Sequence, residues 1–179
     1  MNDNKINNGN FPESGKPAEA ALEMGKAPEC SENLHFPKSE RLRHKVLVDS
    51  LFAMGETLYE YPLRLTFRSL GEEELAASFK VGVPDRIAPL QLLITIPKKK
   101  RRHAVDRVLM RRRIREAWRL RRRQLRLAVE ENPELRTLSV GIVYMSSKNS
   151  YSNKICSKMD ILISKLTEIV KERRYKRPE

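Results

Sequence analysis

From residue 36 onward the apolar and polar positions alternate in rhythms that change along the chain. Between Ser39 and Gly55, Leu42, Val46 or Leu47, Leu51 and Phe52 fall on one side of a helical wheel. Ser39 is placed to cap that helix, Glu40 to sit in its first turn where a carboxylate suits the dipole, and Gly55 to stop it. Leu63-Arg64-Leu65-Thr66-Phe67-Arg68 alternates strictly, which predicts a half-buried strand with Leu63, Leu65 and Phe67 inward and Arg64, Thr66 and Arg68 outward. Residues 69–89 hold a Gly-Glu-Glu-Glu run, a short strand candidate at Ser78-Phe79-Lys80-Val81, and Pro84 and Pro89.

Leu90 to Ile96 reads as a more fully buried strand, ended by Pro97. A helix is expected from about Val105 to Val129, free of internal Gly and Pro and closed by Asn132-Pro133. Thr137 to Met145 is a further strand. Ile155, Met159, Leu162, Ile163, Leu166, Ile169 and Val170 then trace the most regular amphipathic helix of the chain. The order is helix, two or three strands, helix, strand, helix. It predicts an α/β (α+β) sandwich, a small mixed sheet with a βαβ crossover through the long arginine-rich helix.

Composition draws the boundaries. Residues 1–33 are rich in Asn, Gly, Pro, Ser, Glu and Ala without a sustained period, and are expected to be a disordered tail. Residues 34–170 form the expected single domain, and 171–179 a charged, fraying C-terminal tail. Runs such as Leu92-Leu93-Ile94 fall far short of the roughly 20 apolar residues that span a bilayer. The N-terminus has no apolar core of a signal peptide, and Cys30 and Cys156 match no ligand spacing, so a reduced, cytoplasmic protein is expected.

Charge changes the picture more. The chain carries a formal net charge of +13. Fifteen basic side chains lie between Lys98 and Arg126 against only Asp106 and Glu116, and the remaining residues are balanced. A concentrated block of this kind is an electrostatic footprint for a polyanion. On the wheel, Arg111, Arg112, Arg115, Arg119, Arg122 and Arg126 share an arc of roughly 100°. Leu109, Met110, Ile114, Ala117 and Leu120 lie opposite.

A solvated helix would interleave Glu with its cations at four-residue spacing, whereas here like charges repel along the face. Guanidinium grips phosphate bidentately and stacks on bases, so nucleic acid is preferred to anionic lipid or an acidic protein. Trp118, at the edge of the arc, is expected in the core, with stacking on a base as the alternative. The near absence of Asn, Gln and Ser among the arginines favours backbone and shape reading, the habit of structured-RNA binders, over base reading in a DNA major groove.

No catalytic constellation emerges. His35, His44 and His103 are dispersed, and there is no His-x-x-x-His, paired Asp, Gly-rich phosphate loop or nucleophile elbow. Asp106 and Glu116 are explained locally, by a helix N-terminus and by an arginine one turn away.

The run Ile94-Thr95-Ile96-Pro97-Lys98-Lys99, then Ala104-Val105-Asp106-Arg107, Arg111-Arg112 and Arg115-Glu116-Ala117-Trp118-Arg119, resembles the signature of the bacterial ribonuclease P protein subunit family. Phe36-Pro37-Lys38-Ser39-Glu40-Arg41-Leu42, the Tyr61-Pro62-Leu63-Arg64 strand start and the Ser139–Met145 strand follow in family order, so the resemblance spans about residues 36–170. It implies an accessory protein of an RNA-based endoribonuclease. A catalytic RNA, with magnesium bound to it, removes the 5′ leader from precursor tRNA, and the protein binds the leader and stabilises that RNA. No cofactor held by protein side chains, no membrane and no obligate protein partner is expected.

By position, the resemblance assigns RNA contact to Lys98, Lys99, Arg107, Arg111, Arg112, Arg115, Arg119 and Arg122. It assigns a leader-binding cleft to Val48, Phe52, Arg64 and Phe67, with Lys99 as a neighbour. A groove lined by exposed Phe52 and Phe67 is therefore expected. Two departures stand out. The family tends to carry aromatics one turn apart in the first helix, where this chain has Val48 and Phe52. Where the family reads Arg-Asn-Arg, this chain reads Arg107-Val108-Leu109, which puts Val108 on the basic arc and Leu109 at its edge. Other readings are a ribosome- or RNA-associated α/β binding protein without a processing role and, further off, a stand-alone metal nuclease.

Overall fold

A computed structural model describes residues 36–175 apart from 81, 85 and 86, with side chains through Arg173. The N-terminal tail expected at 1–33 lies outside the described residues. Four strands, β1 (Glu56–Glu60), β2 (Leu63–Leu70), β3 (Leu90–Thr95) and β4 (Thr137–Tyr144), form one sheet in the order β1-β2-β4-β3. The β1–β2 and β2–β4 pairs are antiparallel, and β3 runs parallel to β4. The five helices are α1 (Lys45–Met54), α2 (Glu72–Ser78), α3 (Ala104–Arg121), α4 (Arg123–Glu130) and α5 (Ser152–Tyr175). The fold is thus the expected mixed α+β arrangement, with α3 and α4 in the crossover from β3 to β4.

Strand periodicity assigns the two faces. Leu63, Leu65 and Phe67 of β2 join Leu138, Val140 and Ile142 of β4 in a core closed by Met110, Ile114 and Trp118 of α3 and by the apolar stripe of α5. Trp118 is therefore core. The alternate positions look the other way, onto a smaller cluster of Leu47, Leu51, Leu70 and Leu75 beneath α1 and α2. Every position of β4 is buried, because helices cover it on both sides. Each buried Leu, Val or Ile side chain of β4 is worth about 1.5–3 kcal/mol of burial.

Several elements differ from expectation. The segment before α1 forms a 3-10 turn (Lys38–Glu40) and then runs extended beside β3, where Leu42 N donates to the Leu92 carbonyl (3.0 Å). Ser39 therefore caps no helix, and Glu40 is buried rather than placed at a dipole. Glu72 to Ser78, with Leu75 as its anchor, is helical, so the strand expected from Ser78 does not form there; Val81 lies outside the described residues. β1 was not foreseen, because Glu56-Thr57-Leu58-Tyr59-Glu60 shows little apolar content and is an edge strand wet on one side. The long basic helix breaks at Arg122 into α3 and α4. The final helix continues past Lys171 to Tyr175, and Arg173 packs over the Phe67 ring (5.6 Å) and bonds Ser69 Oγ (3.1 Å), which ties down part of the expected fraying tail.

Candidate nucleic-acid interface

α3 owes its direction to four apolar residues. Met110, Ile114, Ala117 and Trp118 are buried at i, i+4, i+7 and i+8, which turns the other side outward. Leu109 and Leu120, expected in the core, are instead at least partly exposed, because the buried stripe is narrower than the wheel suggested. Val105, Val108 and Leu109 form an exposed apolar step at the start of α3.

The expected RNA-contacting cations divide into three groups. Lys98 and Lys99 are exposed, beside Lys100, in the turn after Pro97, and Arg111, Arg112 and Arg115 run along α3, with no acid paired to any of these among the described residues. Arg107 and Arg119 lie on the same line but are engaged. Arg107 Nη1 donates to the carbonyls of Arg101 (3.0 Å) and Arg102 (2.5 Å), and Arg119 grips Glu116 through Nε (3.0 Å) and Nη2 (2.5 Å). That grip holds the Glu116 carboxyl below its ordinary range and raises the Arg119 guanidinium.

Arg122 belongs to neither group. It is 5% exposed, ion-paired with Glu40 and placed over the Phe36 ring (5.5 Å). Burial first, and then the charge of Arg126, pulls its guanidinium down. The expectation that Arg122 faces RNA is corrected: the helix breaks there and the side chain turns inward to bind the 3-10 turn.

The cleft side is built by α1. Phe52 is 45% exposed, and its ring lies over Gly141 of β4: a Cβ at Gly141 would stand 3.6 Å from Phe52 Cζ and 3.0 Å from Leu51 Cδ2. The missing side chain lets α1 settle close to the sheet. Val48 is half-buried against the smaller cluster. Arg64 faces the same side, cross-strand from Val143 and Tyr59, with its Nε unbonded within the protein.

Phe67 does not join them. It is 1% exposed in the main core, on the opposite face of the sheet, because it lies an odd number of positions from Arg64. Its assignment to the cleft is corrected. The aromatic that sequence reasoning missed is Tyr59, exposed on the cleft face of β1. Its only signal is the alternation of Thr57 and Tyr59 with Glu56, Leu58 and Glu60, too short to recognise.

The β3–α3 loop is pinned rather than loose. Arg101 is buried, donates to the Ser147 carbonyl and pairs with Asp106 (3.4 Å), and Asn149 Nδ2 donates to Asp106 (2.9 Å). The Asn149 hydrogen bond, then Arg101 and His103, hold the Asp106 carboxyl below its ordinary value. Among the described residues no three His, Cys, Asp or Glu side chains converge where a metal ion could be held. No helix among them is long and apolar enough to cross a membrane.

These features define a class: a small α+β domain that presents one polycationic helix and, on the other layer, an aromatic-basic cleft. Comparison with known proteins makes the class specific. The sequence model of the family described as Ribonuclease P matches residues 36–166, and the chain belongs to that family. It is 32% identical over 106 residues to the ribonuclease P protein component of Porphyromonas gingivalis, found in two strains, a match that spans 59% of this chain and 69% of that protein. A solved structure of the Staphylococcus aureus RNase P protein aligns over 72% of this chain and 97% of its own at 14% identity, with a TM-score of 0.48. Family membership gives the chain a role in tRNA processing, as a component of an endoribonuclease holoenzyme beside the ribonuclease P RNA.

Proposed function

We propose that this protein assists a catalytic RNA in cleaving the 5′ leader from precursor tRNA in the cytoplasm, binding the leader in the α1–sheet cleft and steadying the RNA with the α3 face. The observation that carries the leader reading is the exposed Phe52 ring over Gly141, with Arg64 facing the same groove. An aromatic that stacks a base beside a cation that meets the backbone is what a single strand requires. Tyr59 supports the reading by supplying the second aromatic that Val48 does not. Lys98, Lys99, Arg111, Arg112 and Arg115 supply unpaired charge for phosphates of the folded RNA, whose mutual repulsion they lower. In this reading the chemistry, and the magnesium it needs, are supplied by the RNA.

The test is reconstitution with a bacterial ribonuclease P RNA and a leader-bearing precursor tRNA. At low magnesium the protein is expected to raise the cleavage rate, and Phe52→Ala to raise KM for the leader-bearing substrate without changing binding of the catalytic RNA. No stimulation by the protein would remove the reading in favour of an RNA-associated protein without a processing role. Cleavage by the protein alone would place the chemistry in the chain instead.

A further inference from the structure

One strongly featured surface takes no part in that function. It lies at the end of the sheet where β1 turns into β2 and β4 runs into α5. Tyr61, in the β1–β2 turn, is 64% exposed, and Tyr151, just ahead of α5, is 83% exposed. Lys154 Nζ stands 5.8 Å from the centre of the Tyr61 ring, and Tyr151 is one helical turn away, its carbonyl accepting from Ile155 N (3.2 Å). The two loops are joined where Met145 N donates to the Pro62 carbonyl (2.9 Å).

We propose that Tyr61, Tyr151 and Lys154, with Lys148, form a platform for single-stranded RNA separate from the α1 cleft, the tyrosines stacking on bases and the lysines meeting phosphates. It rests on the proposed function only in that the chain meets RNA; it does not need the leader to lie in the cleft.

Three observations carry it. First, Tyr151 is held out on a loop that is built to stay still, and Tyr61 on the turn tied to it through the Met145 N–Pro62 carbonyl bond. Tyr144 Oη donates to the Lys148 carbonyl (2.5 Å) and shares a hydrogen bond with Ser150 Oγ (2.9 Å), Arg113 Nη1 donates to the Ser150 carbonyl (2.6 Å), and Arg101 holds the Ser147 carbonyl. A stacking surface fixed beforehand loses little entropy when a base arrives.

Second, the charge suits a phosphate chain. Lys148 and Lys154 are exposed, and Asn149 ties the loop to the start of α3, beyond Lys98, Lys99 and Lys100, so the cationic surface continues from one loop to the other. The neighbouring acids are occupied: Glu60 by Lys158 (3.1 Å) and Lys165 (2.7 Å), Asp106 by Asn149 and Arg101.

Third, the chemistry around the rings is polar. Between Ser146 and Lys154 the exposed residues are Ser, Lys and Asn apart from Tyr151 itself. A membrane-inserting edge would surround its aromatics with Leu, Phe or Trp. Tyrosine and lysine among serines and asparagines match a strand of bases and phosphates.

The experiment measures binding of the full chain to a fluorescent unstructured oligoribonucleotide of about 12 nucleotides, within the span of single-strand sites. Tyr61→Ala/Tyr151→Ala is expected to weaken binding about tenfold or more, as the loss of one or two stacked bases does. Tyr61→Phe/Tyr151→Phe should restore it, since the ring and not the hydroxyl is required. Lys148→Ala/Lys154→Ala should lower the log–log salt slope by about 0.7 for each phosphate that no longer meets a lysine.

Affinity within twofold of the parent for the double alanine variant overturns the proposal. So does equal weakening of binding to an RNA duplex, or loss of binding to anionic phosphatidylserine vesicles with RNA binding unchanged. Phe52→Ala measured beside it separates the two readings. If only Phe52→Ala weakens the oligonucleotide, the platform fails and the cleft stands; if only the tyrosine pair does, the cleft reading fails and the platform stands.

Discussion

The two ends of the basic segment have nearly the same composition and opposite relations to the rest of the protein. From Lys98 to Arg115 most cations have no acid beside them: Lys98, Lys99, Lys100, Arg111, Arg112 and Arg115 have none paired among the described residues. From Arg119 to Arg126, Arg119, Arg121, Arg122 and Arg126 are paired with acids of the protein itself. Arg119 holds Glu116, Arg121 holds Asp160 on α5, Arg122 holds Glu40, and Arg126 holds Glu130 (2.8 Å) and reaches Glu40 (3.7 Å). The difference lies in what each turn of helix faces. The later turns meet acids on α3 and α4 themselves, on α5 and on the 3-10 turn, whereas the earlier turns look onto solvent. A count of arginines cannot separate the two, whereas the partners can.

The comparison predicts a division of phenotypes, and the largest effect belongs to the paired end. Arg122→Met, which keeps the stem and removes the charge, leaves Glu40 buried without its partner. It is expected to cost about 3 kcal/mol of stability, at the low end for breaking a buried pair because Arg126 remains nearby. Urea unfolding measures this. Glu40→Gln together with Arg122→Met should recover part of the loss, since the uncompensated charge is then gone. A wild-type midpoint for Arg122→Met would mean that the pair contributes nothing.

The unpaired end should answer in the other assay. Arg111→Glu/Arg112→Glu/Arg115→Glu should leave the unfolding midpoint almost in place and lower the log–log salt slope of RNA binding by about 2 or more, at roughly 0.7–0.9 per phosphate contact. A triple variant that unfolds early but binds with an unchanged slope would reverse the assignment of the two ends.

A smaller effect tests how the unpaired end is held in place. Asp106 has its carboxyl held below the ordinary value, near 3.8, by Asn149 first and then by Arg101 and His103. A depressed carboxylate contributes stability that is complete above that ordinary value and fades as pH falls through the lower, folded one. The tie between the β4–α5 loop and α3 should therefore persist to below pH 3.8 and then loosen. Asn149→Ala removes the largest cause and should move the Asp106 titration, followed by carboxyl NMR, upward toward 3.8. An unmoved titration would assign the depression to Arg101 instead.

Much of this was legible from the chain, and the exceptions share a cause. β2 and α5 announce themselves because one face of each meets the main core, so periodicity is imposed on the sequence, and β3 and β4 because they are covered and read as apolar-rich runs. β1 and the 3-10 turn do not, since the first is an edge strand and the second is held from elsewhere in the chain, chiefly by Arg122 on Glu40, with Arg126 (3.7 Å) beside it and Gln91 Nε2 donating to the Ser39 carbonyl (3.4 Å). The contact of Arg122 with Glu40 hides the break between α3 and α4, as nothing in Arg121-Arg122-Arg123 distinguishes the middle residue until Glu40 is found against it. For the cleft, Phe52 is exposed on α1. Phe67 was assigned to the cleft by family position against its own strand parity, and the parity decided. Where a resemblance and a period-2 pattern disagree on which face a strand residue takes, the backbone geometry allows only one of them.

The finest test falls on the residue at the boundary. Arg119 is on the line of Arg111 and Arg115, yet Glu116 holds it one turn back in a pair that is partly exposed on one side and open to solvent on the other. Water screens an exposed pair of this kind, so folding depends little on it. A phosphate could draw Arg119 away at little cost, or Glu116 could keep it from the RNA. Glu116→Gln decides between these. It removes the competing carboxylate, leaves the unfolding midpoint almost in place, and should steepen the salt slope by up to about 0.9 if the pair withholds a cation from RNA. An unchanged slope would mean that Arg119 already reaches phosphate from its pair, which moves the boundary between the two ends one turn further along α3.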